Sequence, residues 1–113
     1  MGKNVLIVED DPIIAGASAS LIEDEFGCTP TTVESASAAM ALAETGVDLA
    51  LLDIEVVDGL TFPLATHLRA LGIPVVFLSG SDPSRVPQDL AETPFLRKPV
   101  HPIQLLAAAR RYL

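Results

Sequence analysis

Residues 48–59 read Asp-Leu-Ala-Leu-Leu-Asp-Ile-Glu-Val-Val-Asp-Gly, and this stretch determines how we interpret the rest of the chain. Its apolar run from Leu49 to Leu52 is typical of a strand buried on both faces of a parallel sheet. Asp53 follows that run directly, and Asp58-Gly59 is a turn signal. Because ligands of open α/β sheets bind at the carboxyl ends of the strands, we predict that Asp53 lies at a functional edge.

Strand-like and helical patterns alternate along the whole chain. We predict strands at residues 4–8, 29–33, 49–52, 74–78 and 93–97. Helices are predicted at 12–26, from a cap at 35 or 37 to 44, and at 61–71, 88–91 and 102–113. Asp11 before Pro12 indicates a helix start, and Gly27 indicates a helix end. Pro83 and Pro87 limit the fourth helix to one or two turns, so we expect it to be short or irregular.

This alternation predicts an α/β fold of the doubly wound, flavodoxin-like kind. Five parallel strands would be joined by right-handed crossovers, with helices on both faces of the sheet. Pro30 cannot donate to a strand ladder, which places the second strand at an edge and favours the strand order 2-1-3-4-5. A single domain, residues 1–113, accounts for the chain. The residues predicted to face inward are Leu64, Leu68 and Leu71 in the third helix and Leu106, Ala109 and Leu113 in the fifth.

Composition excludes several classes of function. The 113 residues are 50% apolar, carry a net charge of -8 and include only four phenylalanines and one tyrosine, which argues against nucleic-acid binding. No apolar run reaches the roughly 18 residues that a membrane span needs. The one cysteine, Cys28, cannot form an internal disulfide and is compatible with a reducing cytosol. We therefore expect a cytoplasmic domain that contacts neither nucleic acid nor membrane.

Polar residues follow four of the predicted strands. Glu9 and Asp10 come after the first strand, Asp53 after the third, Ser79 after the fourth and Lys98 after the fifth. Because parallel strands end at the same edge of a sheet, these side chains should converge. Two carboxylates about 4 Å apart repel by about 4 kcal/mol at an effective dielectric constant of about 20, and one lysine does not balance three of them. An oxygen-rich, partly open site of this kind is what Mg²⁺ prefers.

These residues resemble the receiver domain of two-component response regulators, the CheY-like family. The resemblance rests on the five strand-end residues together with Pro99, and it covers essentially the whole chain. Val-Leu-Ile-Val-Glu-Asp-Asp-Pro at 5–12 and Leu-Leu-Asp-Ile at 51–54 are typical of the family. The resemblance implies a phosphorylatable switch that is fed by a histidine kinase or a histidine phosphotransfer protein. A downstream protein or output domain would receive the signal.

The resemblance also implies which residues bind metal and phosphate. Asp53 would be the phospho-acceptor and would form an acyl phosphate. Asp10 and Asp53 would bind Mg²⁺ directly, with the backbone carbonyl of Glu55 as the third protein ligand. Glu9 would act through a metal-bound water. A metal that keeps the pKa of Asp53 low would help, since the carboxylate must be ionised to attack.

A second group of residues would respond to the phosphoryl group. Ser79 would hydrogen-bond it, and Lys98 would pair with it. A cis peptide bond between Lys98 and Pro99 would aim the lysine inward. Phe95 lies where the family often has a rotating aromatic residue, although plain core packing is the favoured interpretation. The change of shape would appear on the face formed by the fourth strand, the fifth strand and the last helix.

The chain departs from the family pattern in two places. The loop from Asp53 to Gly59 is about two residues shorter than usual and lacks the usual proline, which affects the expected position of the Glu55 carbonyl. The short, proline-bearing fourth helix alters the usual switch surface. The residues at 79–82 (Ser-Gly-Ser-Asp) and Phe62-Pro63 resemble an atypical branch of single-domain receivers.

Two other functions compete with the signalling switch. One is a phosphate-independent docking module of the same fold, against which the acidic pair, Asp53 and Lys98 argue. The other is a small phosphatase of the haloacid-dehalogenase kind, which also uses an aspartate nucleophile and Mg²⁺. Residues 56–61 faintly resemble its motif, but Val56 would occupy the nucleophile position. We expect a phospho-acceptor that assists its own phosphorylation and dephosphorylation, not an enzyme that turns over a separate substrate.

Overall fold

The structure is a computed structural model that describes residues 3–113, so the first two residues of the predicted domain lie outside the described part. Strands and helices alternate along it, apart from one short hairpin. The strands are β1 (Val5–Val8), β2 (Thr31–Val33), β3 (Leu49–Leu52), β4 (Glu55–Val56), β5 (Gly59–Leu60), β6 (Val75–Ser79) and β7 (Phe95–Arg97). The helices are α1 (Pro12–Phe26), α2 (Ala36–Leu42), α3 (Phe62–Ala70) and α4 (Pro102–Arg110).

Five of the strands form one parallel sheet in the order β2-β1-β3-β6-β7. In terms of the five predicted strands this is the order 2-1-3-4-5, so the predicted fold class is confirmed. All residues of β1, β3 and β6 are buried, as their continuous apolar runs indicate. β2 is an edge strand and begins at Thr31, because Pro30 has no N–H to give to the ladder.

Helices cover both faces of the sheet and create two apolar layers. Alternate strand residues such as Val8 and Leu52 pack with Leu64 and Leu68 of α3 on one face. Their neighbours pack with α1 and α4 on the other face, where Ile22 is fully buried. The period-two alternation of side chains in a strand therefore explains why one apolar run supplies two cores.

The ends of α1 and α2 follow the chemistry expected of caps. Asp11 accepts hydrogen bonds from the backbone N–H groups of Ile13 and Ile14 at 2.9 and 3.3 Å. Gly27 ends α1 in the left-handed conformation, with φ at 69°, where glycine has no steric penalty. Ser35, one of the two predicted caps, caps α2 by accepting from Ala38 N at 3.1 Å.

The predicted fourth helix is replaced by two 3-10 turns, Pro83–Arg85 and Gln88–Leu90. The expectation of a short or irregular element is thus confirmed, and the two prolines explain it because neither can donate a helical hydrogen bond. Among residues 80–94, which connect β6 to β7, Leu90 is the one buried apolar residue. No helix among residues 3–113 is long and apolar enough to cross a bilayer.

Two predicted inward-facing stripes are partly wrong. Leu71 is 43% exposed, because α3 ends at Ala70 and Gly72 then turns the chain with φ at 79°. α4 ends at Arg110, not at residue 113, and buries Leu105 and Ala109, which lie one helical turn apart. Leu106 and Leu113 are only half-buried.

Candidate functional site

The register of the parallel strands brings the predicted strand-end residues to one edge. Val8 pairs with Leu52, so Glu9 and Asp53 are the next residues of two neighbouring strands. The backbone N–H of Asp53 donates to Val8 O at 2.9 Å. On the other side, Lys98 N donates to Ser79 O at 2.9 Å, which extends the pairing of β6 with β7.

Three carboxylates gather at this edge. Glu9, Asp10 and Asp53 each offer an oxygen, and the three oxygens lie within 4.8 Å of one another. The side chain of Glu9 is 5% exposed and that of Asp53 is 13% exposed. The cluster is therefore sheltered on the Glu9 side and reachable from solvent at Asp53.

Lys98 bridges two of the three carboxylates. Its Nζ lies 2.5 Å from Glu9 Oε1 and 3.1 Å from Asp53 Oδ2. The other oxygens of these groups are also held, because Asp11 N donates to Glu9 Oε2 at 3.1 Å and Ile54 N donates to Asp53 Oδ1 at 2.7 Å. Both carboxylates thus have a fixed orientation.

The electrostatics of the cluster favour a further cation. Burial raises the pKa of Glu9 above its ordinary value, and the hydrogen bond from Lys98 only partly opposes this. Burial also opposes the charge on Lys98, but its hydrogen bonds to Glu9 and Asp53 and the charges of both outweigh burial, so the pKa of Lys98 is raised. Three carboxylates face one ammonium group, and this excess of oxygen charge suits a divalent cation.

The remaining predicted residues lie in β4, β6 and β7 or directly after β7. Ser79 is 2% exposed at the end of β6, and its hydroxyl accepts from Ser81 N at 3.1 Å. Phe95 is half-buried in β7 and packs against the core on the α2 and α3 face. Glu55 is exposed in β4 and pairs with Leu60. The Lys98–Pro99 peptide bond is cis.

The loop after Asp53 contains a hairpin that the sequence analysis did not predict. β4 and β5 are antiparallel and are joined by the two residues Val57 and Asp58. The Asp58 carboxylate accepts from Ala36 N at 2.8 Å and from Ser37 N at 3.0 Å, which joins the hairpin to the first turn of α2. These donors have no partner within their helix, so Asp58 satisfies them from a distant part of the chain.

Sequence reasoning also missed Thr61 as a neighbour of the site. Thr61 is completely buried, and its Oγ1 donates to the backbone oxygen of Asp53 at 2.6 Å. In the sequence it marks only the start of the third predicted helix. The sequence around Thr61 does not indicate that its hydroxyl binds Asp53, eight residues earlier, because the two residues come together only when the hairpin forms.

Comparisons with known proteins assign the chain to a family. Residues 5–110 match the family model described as the response regulator receiver domain. The solution structure of SdrG from Sphingomonas melonis Fr1 is 33% identical with a TM-score of 0.81, covering 96% of this chain and 94% of that one. A CheY-like receiver domain protein from Methanospirillum hungatei JF-1 is 26% identical with a TM-score of 0.87, covering 98% and 93%.

CheY4 of Vibrio cholerae, at 22% identity, shares the fold with a TM-score of 0.84 over 100% of both chains. No protein among the curated sequences matches the chain. The family model spans nearly all of the described residues, and the strand order is that of the solved receiver domains that share the fold. The chain belongs to the response regulator receiver domain family.

Proposed function

We propose that this protein is a signalling switch that accepts a phosphoryl group on Asp53, in a Mg²⁺-dependent reaction, from a histidine kinase or a histidine phosphotransfer protein. The observation that carries the proposal is the position of the Asp53 carboxylate. It lies among two further carboxylates and 3.1 Å from the Lys98 ammonium, at the carboxyl edge of the sheet. Family membership supports the same general role.

The proposed reaction transfers a phosphoryl group from nitrogen to oxygen. An ionised oxygen of Asp53 attacks the phosphorus of a phosphohistidine, and the new O–P bond replaces the N–P bond. The electron pair of the broken bond returns to the imidazole nitrogen, which then takes up a proton. Catalysis of such a transfer is mostly positioning and charge stabilisation, so the side chains around Asp53 need only hold it ionised and correctly placed.

The residues of the cluster fit a bound Mg²⁺. Asp10 and Asp53 would hold the ion directly with the Glu55 carbonyl, and Glu9 would act through a retained water. Donors of this kind are the oxygen ligands that Mg²⁺ prefers, and the three carboxylates of the cluster outnumber the single positive charge of Lys98. When bound, the ion would supply positive charge to the transferring phosphoryl oxygens.

The side chains on β6 and β7 would respond to the product. Phosphorylation adds roughly one to two negative charges and three acceptor oxygens at Asp53. Lys98 would pair with these oxygens, and the hydroxyl of Ser79 would turn from Ser81 N to donate to them. Phe95 pairs with Phe77, two residues before Ser79, and is the aromatic residue that would respond to a movement at the end of β6. The change of shape would appear at the face formed by β6, β7 and α4.

Incubation with acetyl phosphate and Mg²⁺ tests the proposal directly. Asp53 would attack phosphorus and release acetate, so intact-protein mass spectrometry should show one added phosphoryl group per chain. The gain should vanish in Asp53→Asn, which keeps the shape of the side chain, and when a chelator removes Mg²⁺. Absence of any gain in the wild-type chain would favour the docking module, and turnover of excess phosphomonoester would favour the phosphatase.

A further inference from the structure

One buried hydroxyl beside the acceptor has no part in the proposed phosphoryl transfer. Thr61 Oγ1 donates to Asp53 O at 2.6 Å, and Thr61 N donates to Ile54 O at 2.8 Å. The side chain of Thr61 is completely buried. Two successive backbone carbonyls after β3 are therefore held by a single residue at the start of α3.

The Thr61 side chain makes this contact instead of capping its own helix. It occupies the N-cap position of α3, where a threonine side chain ordinarily accepts a hydrogen bond from the first turn of its own helix. Here the side chain makes no capping bond, and its φ of -92° and ψ of 6° differ from the extended conformation that caps adopt. The hydroxyl instead points to the acceptor segment.

The contact reaches the acceptor carboxylate through one peptide plane. The carbonyl of Asp53 and the N–H of Ile54 belong to the same planar peptide unit, so fixing the direction of one fixes the other. Thr61 holds the carbonyl, and the N–H of Ile54 donates to Asp53 Oδ1 at 2.7 Å. The N–H of Asp53 is held by Val8 O at 2.9 Å. The backbone on both sides of the acceptor is thus fixed.

We propose that Thr61 is a positioning residue, whose hydroxyl orients the Asp53 carboxylate through the peptide unit between Asp53 and Ile54. The inference rests on the proposed function, because it assumes that Asp53 is the group that attacks phosphorus. Thr61 does not touch the phosphodonor, so its removal should change the rate of attack and not the binding of the donor. A displacement of the nucleophile by about 1 Å can slow such a reaction about 100-fold.

The test compares Thr61→Val, which keeps the shape and removes the hydroxyl, with Thr61→Ser, which keeps the hydroxyl. The rate of mass gain is measured against acetyl phosphate concentration at saturating Mg²⁺, well below the Tm of each variant. For Thr61→Val the limiting rate should fall about tenfold or more, while the half-saturating concentration stays within about twofold. Thr61→Ser should stay within about twofold of the wild type.

Ile22→Val is the matched control for lost stability. Ile22 is fully buried in the layer on the other face of the sheet, so this variant lowers the Tm without touching the acceptor segment. It should keep the wild-type limiting rate. If Thr61→Val does not fold, Thr61→Ala takes its place in the comparison, because alanine also lacks the hydroxyl and adds no carbon.

The possible outcomes separate this inference from the proposed function. A wild-type chain that gains no mass refutes the function, and the role of Thr61 falls with it. A wild-type chain that is modified, together with a hydroxyl-free variant as fast as Ile22→Val, overturns only the inference. Equal slowing of Thr61→Ser and Thr61→Val also overturns it, since the effect would then not come from the hydroxyl.

Discussion

The two loops that border the acidic cluster are held in place by different means. The acceptor loop, residues 53–61, is closed by a bond between its two ends and is tied to a distant part of the chain. Thr61 bonds back to Asp53, and Asp58 bonds to the first turn of α2, 21 and 22 positions away. Ile54 and Val56 of this loop are also buried. The loop therefore has both long-range hydrogen bonds and apolar anchors.

The connecting loop, residues 80–94, has few such ties. In the described chain the hydrogen bonds found for residues 82–89 join residues at most four positions apart, as in the bond from Arg85 Nη1 to Ser81 Oγ. Leu90 and Thr93 are its buried residues, and Arg69 of α3 donates to Thr93 Oγ1 at 3.3 Å. Local bonds open without disturbing the rest of a fold, so this loop is the better candidate for movement on phosphorylation.

The largest expected effect comes from removing the apolar anchor of the connecting loop. Leu90→Ala should lower the free energy of unfolding by about 2–5 kcal/mol, the usual cost of a buried leucine truncation. The connecting loop would then be held mainly by the half-buried Val86 and by the bond from Arg69 to Thr93, so proteolytic cleavage within residues 82–93 should accelerate more than cleavage elsewhere. Chemical denaturation and limited proteolysis measure the two effects.

Leu64→Ala is the control for that result. Leu64 is 1% exposed in the same apolar layer but lies in α3. It should destabilise the chain by a similar amount without directing cleavage to residues 82–93. Identical cleavage patterns in the two variants would show that the connecting loop is no less firmly held than the rest of the fold.

The next effect concerns Mg²⁺ affinity, which should fall when Asp10 is truncated and should not fall when Lys98 is truncated. Asp10→Ala removes a proposed Mg²⁺ ligand and should weaken binding about tenfold or more. Lys98→Ala removes a positive charge that lies against Glu9 and Asp53, so Mg²⁺ affinity should be unchanged or higher. Titration calorimetry with Mg²⁺ measures both.

The same Lys98→Ala variant separates metal binding from signalling. It should still take up a phosphoryl group but should show a weaker shift in the amide resonances of β6, β7 and α4 afterwards. Unaltered Mg²⁺ affinity in Asp10→Ala would contradict the ligand assignment. A full response in Lys98→Ala would contradict the proposed pairing of lysine and phosphate.

The acidic cluster could be predicted from the sequence because its geometry follows from local patterns. Each of Glu9, Asp53 and Lys98 directly follows a strand-like run, and a parallel sheet places the ends of such runs together. The short fourth element could be predicted for a similar reason, since Pro83 and Pro87 act on their own segment. Strand ends and helix-breaking prolines can therefore be recognised from the residues next to them in the sequence.

The contacts within the acceptor loop could not be predicted in the same way. The partners of Thr61 and Asp58 depend on a hairpin whose two strands have two residues each, which is too short to give a periodic signal. The inward stripe of α4 was misplaced for a related reason. Leu105 and Leu106 are adjacent leucines, and which of them is buried depends on the angle at which the helix packs against α1 and the sheet.

The smallest expected effect is on thermal stability, and it comes from removing one carboxylate of each loop, Asp58 or Asp82. Backbone hydrogen bonds, from Ala36 N first and Ser37 N second, lower the pKa of Asp58, and a bond from Ser84 N lowers that of Asp82. A lowered pKa in the folded state means that each group contributes stability above its unfolded value of about 4, and that this contribution is lost as pH falls through the folded pKa. Both are exposed, so the contributions should be modest.

Asp58→Ala should nevertheless lower the Tm at pH 7 more than Asp82→Ala does, because Asp58 joins two distant segments whereas Asp82 caps only its own turn. The difference in Tm from the wild type should shrink for both variants as the pH falls below about 4, because the unfolded carboxylate takes up a proton first and the native carboxylate follows only at lower pH. Asp24→Ala, at an exposed position of α1, controls for the change of net charge. Thermal unfolding from pH 3 to pH 7 measures the series. Equal losses for the two loop variants would mean that the long-range bond to α2 adds nothing beyond a local cap, and the acceptor loop would then be no more firmly attached than its neighbour.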